Sequence, residues 1–299
     1  MLILNVPTIK DELKDFDVLF NLWYQVFNQI KNSPNFTFTF NKCHILWPNA
    51  IVFLGGLARL IQKNNGHCFF DWSTIKDSVL KNLIKNNFYS SFDDDKQASS
   101  GNTIPYREHG TEDKVSIIDY LRNQWLGRGW MNISTALQEA IIGNIWEIYA
   151  NAFEHGKSPI GVISCGQHFP KKHILKLTVV DFGLGIPVNV NRYRNLFKEP
   201  QISADEALKW SFQRTNSTRI SDNPGGLGLD LLKQFILLNK GRLEVFSNQG
   251  YALISENKEE YINRSSFFEG TLVNITFNCN DSFYYLSSEV DNDEPQFYF

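Results

Sequence analysis

Residues 137 to 156 read LQEAIIGNIWEIYANAFEHG, and within them Asn144, Glu147, Asn151 and His155 recur at intervals of three, four and four. Residues so spaced share one face of an α-helix. Their chemistry suits a metal–phosphate site. The amide oxygen of Asn151 can ligate Mg2+, a hard cation that takes oxygen donors and keeps several waters. Glu147, one turn earlier, can accept a proton from a water or hydroxyl attacking a γ-phosphate. Beside this ladder Leu137, Ile141, Ile145, Ile148 and Ala152 form an apolar stripe fit for a core. Polar groups next to such a stripe are costly to bury without a ligand or partner. An ordinary amphipathic helix with a solvated side would carry the same pattern.

Three further segments bear on the same chemistry. ILKLTVV, 174 to 180, alternates as a strand and runs into Asp181-Phe182-Gly183-Leu184-Gly185-Ile186-Pro187. A carboxylate at a strand end can accept a hydrogen bond from the amino group of adenine, and Gly183 and Gly185 let the backbone approach a flat base. A turn in which the Asp bonds its own backbone would read the same way. Next, Pro224-Gly225-Gly226-Leu227-Gly228 precedes an apolar helix with Leu229, Leu232, Ile236 and Leu237 on its buried face and Gly241 as its C-terminal cap. Glycines ahead of a helix N-terminus present backbone N–H groups and the helix dipole to anions. This is not the GxxxxGK[ST] phosphate loop, and a flexible helix lead-in stays open. Finally, Gly270-Thr271 opens the strand LVNITF. The Thr271 hydroxyl can bond a base or Asp181, or the residue can simply be a good strand former.

In this order EIYANAFEHG, DFGLGIP, PGGLGL and GT resemble the N box and the three G boxes of the GHKL superfamily of ATP-binding domains, over about residues 135 to 278. NAFEHG is most similar to the anti-sigma-factor serine kinase and sensor-kinase branches. The resemblance implies an α/β sandwich of the GHKL (Bergerat) type, with helices on one face of a mixed sheet and nucleotide under a mobile lid. It also implies ATP and Mg2+ as ligands. Asn151 would then hold Mg2+, Asp181 would read adenine, Glu147 would be the catalytic base and His155 would lie near the phosphates. Gly183, Gly185, Ile186, Gly225, Gly226, Leu227, Gly228 and Thr271 would line the pocket. The implied activity is ATP hydrolysis, or phosphorylation of serine or threonine on a protein partner. A non-enzymatic ATP-dependent switch is the alternative. Kinases of this regulatory type commonly pair, so a homodimer is also implied.

Other elements must position these groups. The lid spans Asn189 to Asn223. Ser203 and Glu206 form a capping box for a helix to about Trp210, and Arg214, Ser217, Thr218 and Arg219 follow it. Arg242 to Ser247 and Tyr251 to Ser255 predict a hairpin turning at Asn248-Gln249-Gly250. Upstream, a helix is expected over Asp17 to Ile30, a strand over Phe36 to Phe40 and a helix over Ala50 to Gln62. A strand from His67 to Trp72 follows, then a helix over Thr74 to Lys85 capped by Ser73. That order, with FTFTFNKCHILWPNAIVFLGGL, resembles a STAS domain. The place of that family's phosphorylatable hydroxyl is taken by Pro48-Asn49-Ala50, so protein contact is the expected use. The chain divides as a smaller STAS-like α/β domain (1–92), a linker and connecting helix (93–134), the GHKL domain (135–280) and an acidic tail (281–299), with the first break falling in the acidic, Ser-rich SSFDDDKQASSGN, Ser90 to Asn102. His109 reads as a surface loop residue, not a phosphoacceptor.

Composition is that of a globular chain of 299 residues, with 42 % hydrophobic and 20 % charged side chains. Net charge is −3, so no basic excess points to nucleic acid. The four cysteines form no CxxC pair, which argues against a zinc ribbon or a disulfide scaffold. Acidic residues enter the N-terminal segment before a signal-peptide core can form, and apolar runs fall well short of the ~20 residues of a membrane span. A cytoplasmic protein with no membrane partner is the expectation.

Overall fold

Helix α2, Pro48–Lys63, is apolar around its whole circumference over most of its length, and a helix of that kind must be enclosed. Every residue from Pro48 to Ala58 is buried. The computed structural model describes residues 1–32, 35–93, 101–213 and 227–289, by backbone alone over 227–231. It encloses α2, together with α1 (Leu13–Gln29), between two sheets. Strands β1 (Leu2–Asn5), β2 (Asn35–Thr39) and β3 (His67–Phe70) form a parallel sheet in that order, with α1 and α2 as the crossovers.

The second sheet has five strands, β4 (Thr103–His109), β5 (Val162–Phe169), β6 (Ile174–Asp181), β7 (Arg242–Ser255) and β8 (Lys258–Asn278). Their order is β4-β5-β6-β8-β7, and every neighbouring pair is antiparallel. Both faces are covered: one side of the central strands is apolar, and the other is apolar near Val180 and Leu272 and polar at Lys176, Thr178 and Asn274. Leu175, Leu177 and Val179 pack towards α4 (Lys114–Tyr120), α5 (Thr135–Asn151) and α8 (Leu227–Leu238). Ile163, Cys165, Val180, Phe246 and Leu272 join the core of α1 and α2. There Phe16 stacks on Phe246 at 4.1 Å between ring centres and Phe20 on Phe268 at 4.7 Å. The expected mixed sheet with helices on one face is thus an antiparallel sheet with helices on both. The N-terminal elements share a core with the five-stranded sheet.

Several expectations are corrected. Segment 93–134, read as linker and connecting helix, supplies edge strand β4 and helix α4. Pro105, Arg107 and Glu108 disguise a short edge strand, and Pro105 is tolerated there, at an edge and in a register irregularity between Ile104 and Arg107. His109 ends that strand buried, 5 % exposed between Tyr120 and Tyr149, and burial drops its pKa to about 4. The hairpin does not turn at Asn248-Gln249-Gly250: β7 runs through with Asn248 at φ +53°, opposite a bulge whose extra residues belong to β8, and the chain reverses at 256–257. In α8 Leu237 is 37 % exposed and Phe235 takes its place beside Leu232 and Ile236. Lys240, at φ +55°, is the left-handed residue at its end, while Gly241 is needed because a Cβ there would lie 2.4 Å from the Thr276 carbonyl oxygen. Asp71, not Ser73, caps the turn after β3, and α3 spans Asp77–Lys85. The start of the acidic tail docks: Ser134 N–H donates to the Tyr284 carbonyl at 2.8 Å, and Tyr284 packs on Phe235. Among the described residues no helix is long and apolar enough to cross a membrane.

A buried polar network ties the loop before α1 to the five-stranded sheet. Lys176, 3 % exposed, pairs with Asp11, which also accepts a hydrogen bond from Asn274 at 2.7 Å. Glu244, paired with Arg242 at 2.5 Å, accepts from Tyr251 at 2.9 Å and Asn274 at 3.2 Å. Removing one partner of such a pair leaves a buried charge alone, which costs about 3–5 kcal/mol. Asp11→Ala is expected to lose about that much in urea denaturation, and Asp11→Ala/Lys176→Met to recover most of it. Equal loss in both variants would show that the ion pair is not what matters.

Candidate functional site

Asp181 is the last residue of β6, paired with Val162 on one side and Thr271 on the other. Strand alternation turns it towards the helical face, where it is 5 % exposed. Its Oδ1 accepts the Gly183 N–H at 2.8 Å, closing the local turn. Burial pushes the carboxyl up to about 7, and the backbone N–H groups of Gly183 and Thr271 offset only part of that rise.

The C-terminal end of α5, which carries the polar ladder, comes to the same place. Its apolar stripe is buried from Leu137 to Ala152, Asn144, Glu147 and His155 are half-buried, and Asn151 is exposed as the helix's last residue. The helix then widens into a π-turn, Ala152–Gly156, and Lys157 takes φ +54°. The Gly156 carbonyl accepts the Leu184 N–H at 2.6 Å. The two segments pack closely: a Cβ on Gly183 would stand 1.9 Å from the Gly156 oxygen, and one on Gly156 would be in tight contact, 3.2 Å, with the Asp181 carboxyl. Ala152, beside Asn151, lines the same contact, 3.9 Å from that position. The structure therefore joins the end of α5 to the Asp181 turn. The His155 carbonyl accepts the Asn189 side chain at 3.0 Å, and its ring lies 3.7 Å from Glu154.

Gly185, at φ +82°, leads into α6 (Ile186–Leu196), with Asn189 also donating to its carbonyl at 2.9 Å. The Ile186 N–H donates to Ser247 Oγ at 2.8 Å, and the Thr271 hydroxyl lies 3.0 Å from that same oxygen. Thr271 thus supports Asp181 through its backbone, while its hydroxyl meets Ser247. Ser247 and Asn248 escaped the sequence reading. Asn248 donates to the Leu184 carbonyl at 3.1 Å, and its buried Oδ1 has no partner. Their only signal was Asn248-Gln249-Gly250, which reads as a turn.

The phosphate-loop expectations fall partly outside the described residues, as Gly225, Gly226, Arg214, Ser217, Thr218 and Arg219 do. Leu227 and Gly228 form the first turn of α8, not a loop before it. The expected capping box is present at Ser203 and Glu206, opening α7, Ala204–Ser211. Among the described residues no three His, Cys, Asp or Glu side chains converge as a metal cluster. The partnerless amide oxygen on Asn248 and the buried Asp181 carboxyl are hydrogen-bonding groups suited to a polar ligand rather than a metal cage. No protein-family profile matches the chain, and no curated protein matches it.

A carboxyl raised in the fold from its ordinary 3.8 to about 7 keeps its proton while the unfolded chain has lost it. Its contribution to stability is full below the lower value and is lost as pH rises through the upper one. The stability of Asp181→Asn relative to the parent should therefore grow between about pH 4 and 7 and level off above. A pH series of denaturant melts measures it, and a difference that does not vary with pH would contradict the burial of this carboxyl.

Proposed function

We propose that this site binds Mg2+-ATP, and that the chain is a regulatory protein of the GHKL type that hydrolyses ATP or phosphorylates a protein partner. One observation carries the reading: a buried strand-end carboxylate, walled by glycines, lies against the end of a helix bearing Asn151 and Glu147. In this reading Asp181 accepts the adenine amino group, and Gly183 and Gly185 shape the backbone turn that holds the carboxyl. Asn151, exposed at the helix end, ligates the metal through its amide oxygen. When bound, Mg2+ supplies positive charge to phosphate oxygens. The Glu147 carboxylate takes the proton of the attacking hydroxyl. His155 stands beside the phosphates, and the N-terminal layer, with its STAS-like element order, contacts the protein partner.

A non-catalytic switch is the second reading. It is favoured by Asn189, whose side chain bonds both the His155 and Gly185 carbonyls and so links α6 to both halves of the site. Nucleotide contacts at Gly185 would then be passed to α6 as a change of surface.

Titration calorimetry with ATP tests the binding reading. Asp181→Asn is expected to weaken ATP about 10- to 100-fold, the range for a hydrogen bond to a charged group. Asn151→Ala should remove the Mg2+ dependence of binding. Glu147→Ala should bind ATP and release no phosphate. Unchanged affinity in Asp181→Asn would remove the base-reading role, whereas parent protein that binds ATP but never releases or transfers phosphate would favour the switch.

A further inference from the structure

Resting on the nucleotide reading above, we infer that Phe182 is a positioning residue for the site and that α2 sets the site's affinity through Gly56. Asp181 and Phe182 are neighbours on one strand end and face opposite sides of the sheet. Phe182 is 4 % exposed and belongs to the core of α1 and α2, with ring centres 5.1 Å from Phe53 and 6.1 Å from Phe268. Its ring fills the gap at Gly56: a Cβ there would stand 2.0 Å from Phe182 Cε2. Glycine in mid-helix is unfavourable relative to alanine, yet α2 carries two in succession. Gly55 receives the ring of Tyr106 from β4 in the same way, a Cβ standing 2.2 Å from its hydroxyl.

The two notches have different destinations. Tyr106 lies on edge strand β4 and donates to Glu108 at 2.8 Å. Phe182 lies between Asp181 and Gly183, the residue whose N–H holds the carboxylate. Its own N–H reaches Ser158 Oγ at 3.3 Å, just past the π-turn of α5. A close-packed interior transmits a displacement of the ring instead of absorbing it. Movement of α2 therefore shifts the Asp181 carboxylate and its Gly183 donor together, and by linkage nucleotide at the site acts back on α2 with equal free energy.

The test compares ATP affinity, by calorimetry at a temperature where each protein is folded, with stability by denaturant melting. Gly56→Ala should weaken ATP by about fivefold or more, the lower end of ordinary coupling. Gly56→Ala/Phe182→Leu, which returns the volume, should restore affinity to within about twofold, a margin well inside one tenfold step of 1.4 kcal/mol. Gly55→Ala is the control, because it meets an equally close ring: it should lower stability and leave ATP affinity unchanged. Phe182→Leu alone, which removes volume without a clash, should weaken ATP as Gly56→Ala does and serves if that variant does not fold. Equal weakening by Gly55→Ala and Gly56→Ala, or none by Gly56→Ala and Phe182→Leu, overturns the inference. A parent protein that binds no ATP overturns the nucleotide reading instead. The coupling is then read without nucleotide, from the pH midpoint of stability assigned to Asp181 in paired Asp181→Asn backgrounds. That midpoint should move in Gly56→Ala and stay in Gly55→Ala, and an unmoved midpoint overturns the inference.

Discussion

The carboxyl of Asp181 is buried, at the end of a strand covered on both faces. Desolvation opposes its charge, and the backbone N–H groups of Gly183 and Thr271 only partly compensate. Much of the local architecture follows from holding that group in place. The strand must end at this residue, the next turn must fold back to present an N–H, and the helix terminus alongside must come close without a side chain. Gly156 and Gly183 answer the last requirement, and the π-turn over Ala152–Gly156 delivers the backbone to its contact with Leu184.

The same constraint explains why the sheet is enclosed. A sheet with one wet face would leave Phe182 and Phe246 in solvent, whereas here α1 and α2 cover them and are covered in turn by the three-stranded sheet. Layering of this sort demands an almost wholly apolar helix in the middle, and α2 is that helix. Its two glycines accept rings from the opposing sheet, so the helix approaches the strands closely at Tyr106 and Phe182. The polar end of the interface is handled differently, with the charges of Asp11, Lys176, Arg242 and Glu244 paired and hydrogen-bonded.

Period and punctuation made much of this legible. The alternation of ILKLTVV, the stripe on α5 and the apolar run of α2 each report a face that must be buried, and the elements formed there. The capping box at Ser203 and Glu206 placed α7 to within a residue of its observed start. What escaped has physical reasons too. β4 is a short edge strand whose proline and charges erase alternation. Asn248 lies opposite a bulge in β8 yet uses the residue types of a turn, and only long-range pairing with β8 decides between the two. The π-turn carries no local signature, so helical spacing alone could not show how His155 and Gly156 meet the Asp181 turn. Ser247 and Asn248 owe their place in the site to that bulge and were invisible for the same reason. The covering of the sheet's second face could not be read from either half of the chain alone.

Recognition of a purine by its exocyclic amino group is the claim on which the functional account turns, and the base itself can be varied to test it. Binding of ATP and of inosine triphosphate, which carries an oxygen in place of that amino group, should be compared by calorimetry in the parent protein and in the Asp181→Asn variant. The account predicts that the parent prefers ATP by about tenfold or more, the worth of one hydrogen bond to a carboxylate, and that the variant loses the preference. Equal affinity of the parent for both nucleotides would contradict it.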